Sequence, residues 1–176
     1  MIKKIEIMLF TFVFCFFTFI PSLYATQTAI PTYKNKSEIP LTEDVKDAIS
    51  EYCDYYEVKE EMVYATISHE SGFNADAEGH NTDGTIDSGL MQINTVNQPR
   101  LEKKLGITNF YDPLQNIQAG IYMLGELTSK YDDDRQVYLA YHLGEQGMLN
   151  AWKNGTRTNS ASEHKLNLQN YFKDIV

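Results

Sequence analysis

Between residues 59 and 94 the chain changes its hydrophobic period, and that change limits the folds open to it. Over residues 59–71, Val63, Ile67 and Glu70 fall at i, i+4 and i+7, one stripe of a helix, and Gly72 is placed to stop it. A Gly/Asn/Asp-rich stretch follows, in which Asp83-Gly84 suits the positive φ of a tight turn. The expectation is a two- or three-stranded ribbon ending near Asp87, directly after a helix. Glu70 then projects from the last helical turn on the packed side. A carboxyl group that must protonate an oxygen near neutral pH has to be partly desolvated, because burial disfavours its charged form. Glu70 is the candidate for that treatment.

Elsewhere the pattern is helical. Thr42 reads as an N-cap with Glu43 and Asp44 in the first turn, and Val45, Ala48, Ile49 and Tyr52 repeat at helical spacing. Asp112-Pro113 is an N-cap and N1 pair opening a long helix through Leu114, Ile117, Ile121 and Leu124, expected to be the central buried one, with Gly120 and Gly125 allowing close contact. A further helix starts at Asp133 or Asp134 and ends at Gly144, and a short one covers 148–152 and ends at Gly155. Ser160 to Glu163 fits a capping box for a C-terminal helix. The fold class is α+β, mainly α, with a small β-ribbon between helices.

Residues 1–25 carry an export pattern: Lys3 and Lys4, a Phe-rich uncharged run from Ile7 to Ile20, then Pro21, Ser22 and Ala25. That run is 14 residues, short of the ~20 needed to span a bilayer, so cleavage after Ala25 is expected over a permanent anchor. Residues 26–40 hold two prolines without apolar periodicity and read as a tether, leaving 41–176 as one catalytic domain. Only Cys53 lies outside the leader, so no intramolecular disulfide is expected, and Cys53 reads as a small buried hydrophobe. The formal charge of −9 argues against nucleic acid as a partner.

Four motifs in order then carry a resemblance: Glu70-Ser71-Gly72-Phe73, Gly89-Leu90-Met91-Gln92-Ile93-Asn94, the helix beginning at Asp112, and Ala140-Tyr141-His142-Leu143-Gly144. Together, over roughly residues 58–152, they resemble the soluble lytic transglycosylases of the lysozyme-like superfamily. The interval from Glu70 through Asn81-Thr82-Asp83-Gly84 and Asp87 to Gln92-Ile93-Asn94 also resembles vertebrate-type lysozymes, with Asp87 in the place of their second carboxylate. His142 stands where the family usually has Asn.

The resemblance implies a lysozyme-like fold and cleavage of the β-1,4 bond between N-acetylmuramic acid and N-acetylglucosamine. Glu70 would protonate the glycosidic oxygen and then, as a carboxylate, take the proton of the muramic C6 hydroxyl, leaving a 1,6-anhydro end. One carboxyl serves both steps because the acid becomes the base. The substrate's acetamido group would stabilise the positive sugar. Met91, Gln92, Asn94 and Tyr141 would line the groove, and Asp87 reads as a hairpin hydrogen-bonder, a groove residue or a true second carboxylate. No cofactor or metal is expected: His69-Glu70 lacks the second His of a zinc helix, and Asp83 and Asp87 lack a calcium loop's ligand run.

The expected substrate is the peptidoglycan glycan strand, the expected setting is extracytoplasmic and wall-associated, and the expected state is a monomer serving wall turnover or a secretion or conjugation apparatus. Two other readings stand beside it. One is a muramidase that hydrolyses the same bond with Asp87 as second carboxylate. The other is an inactive wall-binding component of such an apparatus.

Overall fold

The computed structural model describes residues 32–176; the expected leader and the first part of the expected tether lie outside them. The element order is a short 3-10 turn (Lys36–Glu38), α1 (Glu43–Tyr56), α2 (Glu60–Glu70), β1 (Glu78–His80), β2 (Ile86–Ser88), β3 (Ile93–Asn94), α3 (Gln98–Leu105), α4 (Pro113–Thr128), α5 (Asp134–Lys153) and α6 (Ser160–Phe172). The three short strands form one antiparallel sheet in the order β1-β2-β3, with Gly79 opposite Asp87 and Asp87 opposite Asn94. The α+β class, mainly α, is as the sequence predicts.

Helix α2 is the most enclosed element, where the sequence points to α4. Six consecutive residues, Met62 to Ile67, have no exposure, so α2 is covered on every side rather than along one stripe. Helix α6 lies along it, α4 packs on α1, and α5 bridges α4 and α6. Gly72, with φ 59°, ends α2 as expected. Helix α5 breaks at Gly144 (φ 71°, ψ 159°), the expected end of one helix; the helical stretch that follows it runs on from there, earlier than the expected start at 148. The cap of α6 sits one residue earlier than predicted. Asn159 accepts from Ser162 N at 2.8 Å and Ser162 Oγ accepts from Asn159 N at 2.9 Å, a reciprocal capping box.

The described part of the tether expected over residues 26–40 makes contacts with the helices that follow it. Ile39 is buried, Lys36 Nζ donates to Glu60 at 2.7 Å and Ser50 at 2.9 Å, and Tyr33 meets Phe73 edge-on at 5.9 Å. Helix α3 was not expected; it buries only Leu101 and so leaves no apolar stripe to read. Cys53 is free and buried, and burial pushes its thiol up to about 12, in keeping with a packing role.

Helix α4 reaches the ribbon through Gly120. A Cβ there would lie 2.2 Å from Met91 Sδ, so the absence of a side chain is what lets Met91 seat against α4. Gly to Ala inside a helix ordinarily gains ~0.5–1 kcal/mol. Here the overpacking cost of about 1–3 kcal/mol should win, so Gly120→Ala is expected to lower the thermal midpoint. A raised midpoint in thermal unfolding would contradict this close packing.

Candidate active site

Glu70, Asp87, Gln92, Asn94 and Tyr141 line one open groove of about 700 Å³, together with Arg100, Met123, Glu126 and residues 142–145. The wall on one side is the end of α2 and the start of the α5 break; the other is the ribbon. Five of the six expected site residues are therefore brought together. Met91 is not among them: its side chain is fully buried against Gly120. An unbranched apolar chain beside a helix glycine packs better than it projects.

The ribbon segment after β2 is shaped so that alternate residues do different work. Leu90, Met91 and Ile93 are buried and anchor it, while Gln92 and Asn94 share the groove side. Asn116, fully buried on α4, clamps it: Oδ1 accepts from Met91 N at 2.8 Å, and Nδ2 donates to the Ser88 carbonyl at 2.8 Å and the Phe110 carbonyl at 2.7 Å. Gly89 allows this approach, since a Cβ there would come 2.5 Å from Asn116 Nδ2, and its φ of 74° favours glycine as well. From the other side, the Tyr141 hydroxyl donates to the Met91 carbonyl at 2.9 Å. Burial, then the carboxylates of Glu70 and Asp87, hold the Tyr141 phenol well above its ordinary range, so it stays a neutral donor.

Asp87 is a hydrogen-bond hub. Oδ2 accepts from Asn81 Nδ2 at 2.8 Å and Oδ1 from Asn94 Nδ2 at 2.7 Å, while Asn94 Nδ2 also reaches Thr85 Oγ1 and Asn94 Oδ1 caps Val96 N. Gln92 Nε2 donates to the Gly89 and Ala77 carbonyls at 2.9 and 3.1 Å. The amide donors of Gln92 and Asn94 thus hold the ribbon in shape, and what they present to the groove is set by that duty.

Glu70 is different. Its side chain keeps 16% exposure and pairs with the Lys165 ammonium, which has none. The sequence does not mark Lys165 at all. It sits in α6, beyond the last motif, and no local signal ties it to residue 70. Around the pair stand His69, His142 and His164, with the rings of His69 and His164 5.3 Å apart. Burial first and the Lys165 charge second lower His69 to about 4, and its Nδ1 is buried without a partner.

Residues 47–165 match the family described as the Transglycosylase SLT domain. The invasion protein IagB of Salmonella typhimurium is 35% identical over 92 residues, covering 51% of this chain and 57% of that protein. A transglycosylase of Enterobacteria phage PRD1 is 37% identical over 89 residues, covering 51% of this chain and 31% of its own length. The chain thus spans about half, or less, of the curated relatives it matches. A solved structure of the lytic transglycosylase Slt from Pseudomonas aeruginosa, an inactive mutant, superposes with a TM-score of 0.58 at 15% identity, over 78% of this chain and 25% of that one. That likeness bears out the lysozyme-like fold.

The histidines beside Glu70 have a consequence for stability. Unfolded His69 protonates near 6.5 and folded His69 only near 4, so between those values the unfolded state binds more protons and stability falls as pH drops. His142 and His164 are lowered mainly by burial and act in the same direction. The thermal midpoint should decline from pH 7 to about pH 4.5, less steeply in His69→Phe. Equal slopes for the two proteins would show that His69 is not buried neutral.

Proposed function

Because the chain belongs to the transglycosylase SLT family, we propose that it is a peptidoglycan lytic transglycosylase, with Glu70 as general acid and then general base. The single observation that supports this most is the contrast between the two groove carboxylates. Both oxygens of Asp87 are engaged by ribbon amides, whereas Glu70 leaves a helix end and opens on the groove beside one cation. A carboxylate already spent on shaping a hairpin is a weaker nucleophile than a free one.

In this reading the muramic and glucosamine rings lie along the groove, between the ribbon and the α5 break. The Glu70 proton passes to the glycosidic oxygen as the C1–O bond breaks, and the acetamido carbonyl of the same muramic ring stabilises C1. The C6 hydroxyl then bonds to C1 and gives its proton to Glu70, which restores the acid. No water enters the sum, and the product carries a 1,6-anhydro ring. Tyr141 acts by fixing the Met91 backbone, and Gln92, Asn94 and Asp87 by fixing the ribbon face against which the sugar rests.

The same proposal places the protein outside the cytoplasm, acting on glycan strands as a monomer. Service to a secretion or conjugation apparatus is part of it, and the likeness to a protein named for invasion supports that setting. A second reading, hydrolysis with Asp87 as second carboxylate, is favoured by one observation: Asp87 and Glu70 line the same groove.

Two substitutions separate the roles. Glu70→Gln keeps size but removes the transferable proton, and general acid catalysis contributes on the order of 100- to 10,000-fold, so turnover on purified peptidoglycan should fall at least 100-fold. Near-normal turnover would sink the assignment. Asp87→Asn should keep substantial activity, losing only ribbon hydrogen bonds of ~1–3 kcal/mol. A collapse of the folded Asp87→Asn protein as deep as that of Glu70→Gln would favour hydrolysis instead.

A further inference from the structure

Lys165 lies outside every motif, yet it makes the contact that bears most directly on Glu70. Its ammonium donates to Glu70 Oε1, its side chain has no exposure, and its Nζ stands 5.0 Å from the Tyr141 ring centroid and 5.9 Å from that of Tyr138. The ring faces add modest attraction, but they do not supply a counter-charge. Glu70 does, so the cation is tolerated inside the protein through the carboxylate that the reaction uses. The helix that carries Lys165 is itself held, since Gln169 accepts from the Tyr138 hydroxyl and donates to Asp134, both at 2.9 Å. The ammonium therefore approaches Glu70 from a fixed direction.

We propose that Lys165 is the positioning residue for Glu70, fixing where its carboxylate points and meeting the charge it gains when it gives up its proton. This rests on the reading of Glu70 as acid and base. An ammonium beside a carboxyl group favours the ionised form. As the proton passes to the glycosidic oxygen, Glu70 becomes an anion against that ammonium, so the contact strengthens along the reaction and speeds the step. Lys165 keeps its own protons throughout, and the proton that returns to Glu70 comes from the C6 hydroxyl. The other groups that act on Glu70 are His69 on its own helix and Tyr141 and His142 on α5; Asp87 on β2 lines the same groove, and His164 on α6 lies against His69. Of the partners bonded to Glu70, Lys165 is the cation the structure pairs with it directly.

The test compares kcat and KM of the full protein and Lys165→Met on purified peptidoglycan at pH 7. kcat should fall roughly tenfold with KM little changed, because the carboxylate that forms in the transition state loses its ammonium partner. An unchanged kcat in the folded variant overturns the positioning role. Thermal unfolding at pH 7 of Glu70→Gln, Lys165→Met and the double variant tests the pair without using activity. Glu70→Gln alone strands a buried ammonium and should lower the midpoint, and adding Lys165→Met should restore most of the loss. Additive effects overturn the pair itself. Lys165→Gln gives the same two readouts should the Met variant fail to fold. If the reading of Glu70 as the acid fails, Glu70→Gln remains active while the unfolding cycle still reports coupling, so the two failures are distinct.

Discussion

An ammonium group with no contact with water must be answered by an anion, and in this protein the answer comes from Glu70. The penalty for removing a charge from water is several kcal/mol, too large for two aromatic faces to offset. The requirement ties α6 to the end of α2, the most enclosed helix and the one that α6 covers. Position and chemistry are thus coupled at one point. The residue proposed to move a proton also compensates the charge that seats the C-terminal helix.

The opposite wall is organised by a neutral group. Asn116 spends its amide on three backbone partners, which holds the Gly89 to Gln92 turn against α4 and points Gln92 and Asn94 into the groove. Buried amides are costly when unmet and strongly orienting when fully met. One wall therefore rests on a charge pair and the other on a satisfied amide, and the groove between them inherits its width from both. Asp87 belongs to the second wall, and its two bonds to asparagine amides make it part of the ribbon.

Local chemistry made much of this legible. Gly72, Asp83-Gly84, Asp112-Pro113 and Gly144 each act where their backbone preferences predict, and they set the order of helix, ribbon and helix. Glu70, Asp87, Gln92, Asn94 and Tyr141 were legible from the motifs that carry the family resemblance. What escaped was non-local or aperiodic. Lys165 meets a residue 95 positions away, Asn116 lies within a helix where an amide reads as ordinary surface, and α3 has one buried residue. Pro99 and Gly106 bracket α3 and were the available signal for it. The burial of the Met91 side chain against Gly120 on α4 leaves no trace in its own sequence neighbourhood.

The central claim is that Glu70 recovers its proton from the substrate and not from water. Digestion of purified peptidoglycan in water enriched in oxygen-18, followed by mass analysis of the released muropeptides, tests it most directly. The account predicts muramic ends one water lighter than hydrolysis products and free of the heavy oxygen. Reducing ends carrying the label would contradict it and assign the chemistry to a water-consuming hydrolase.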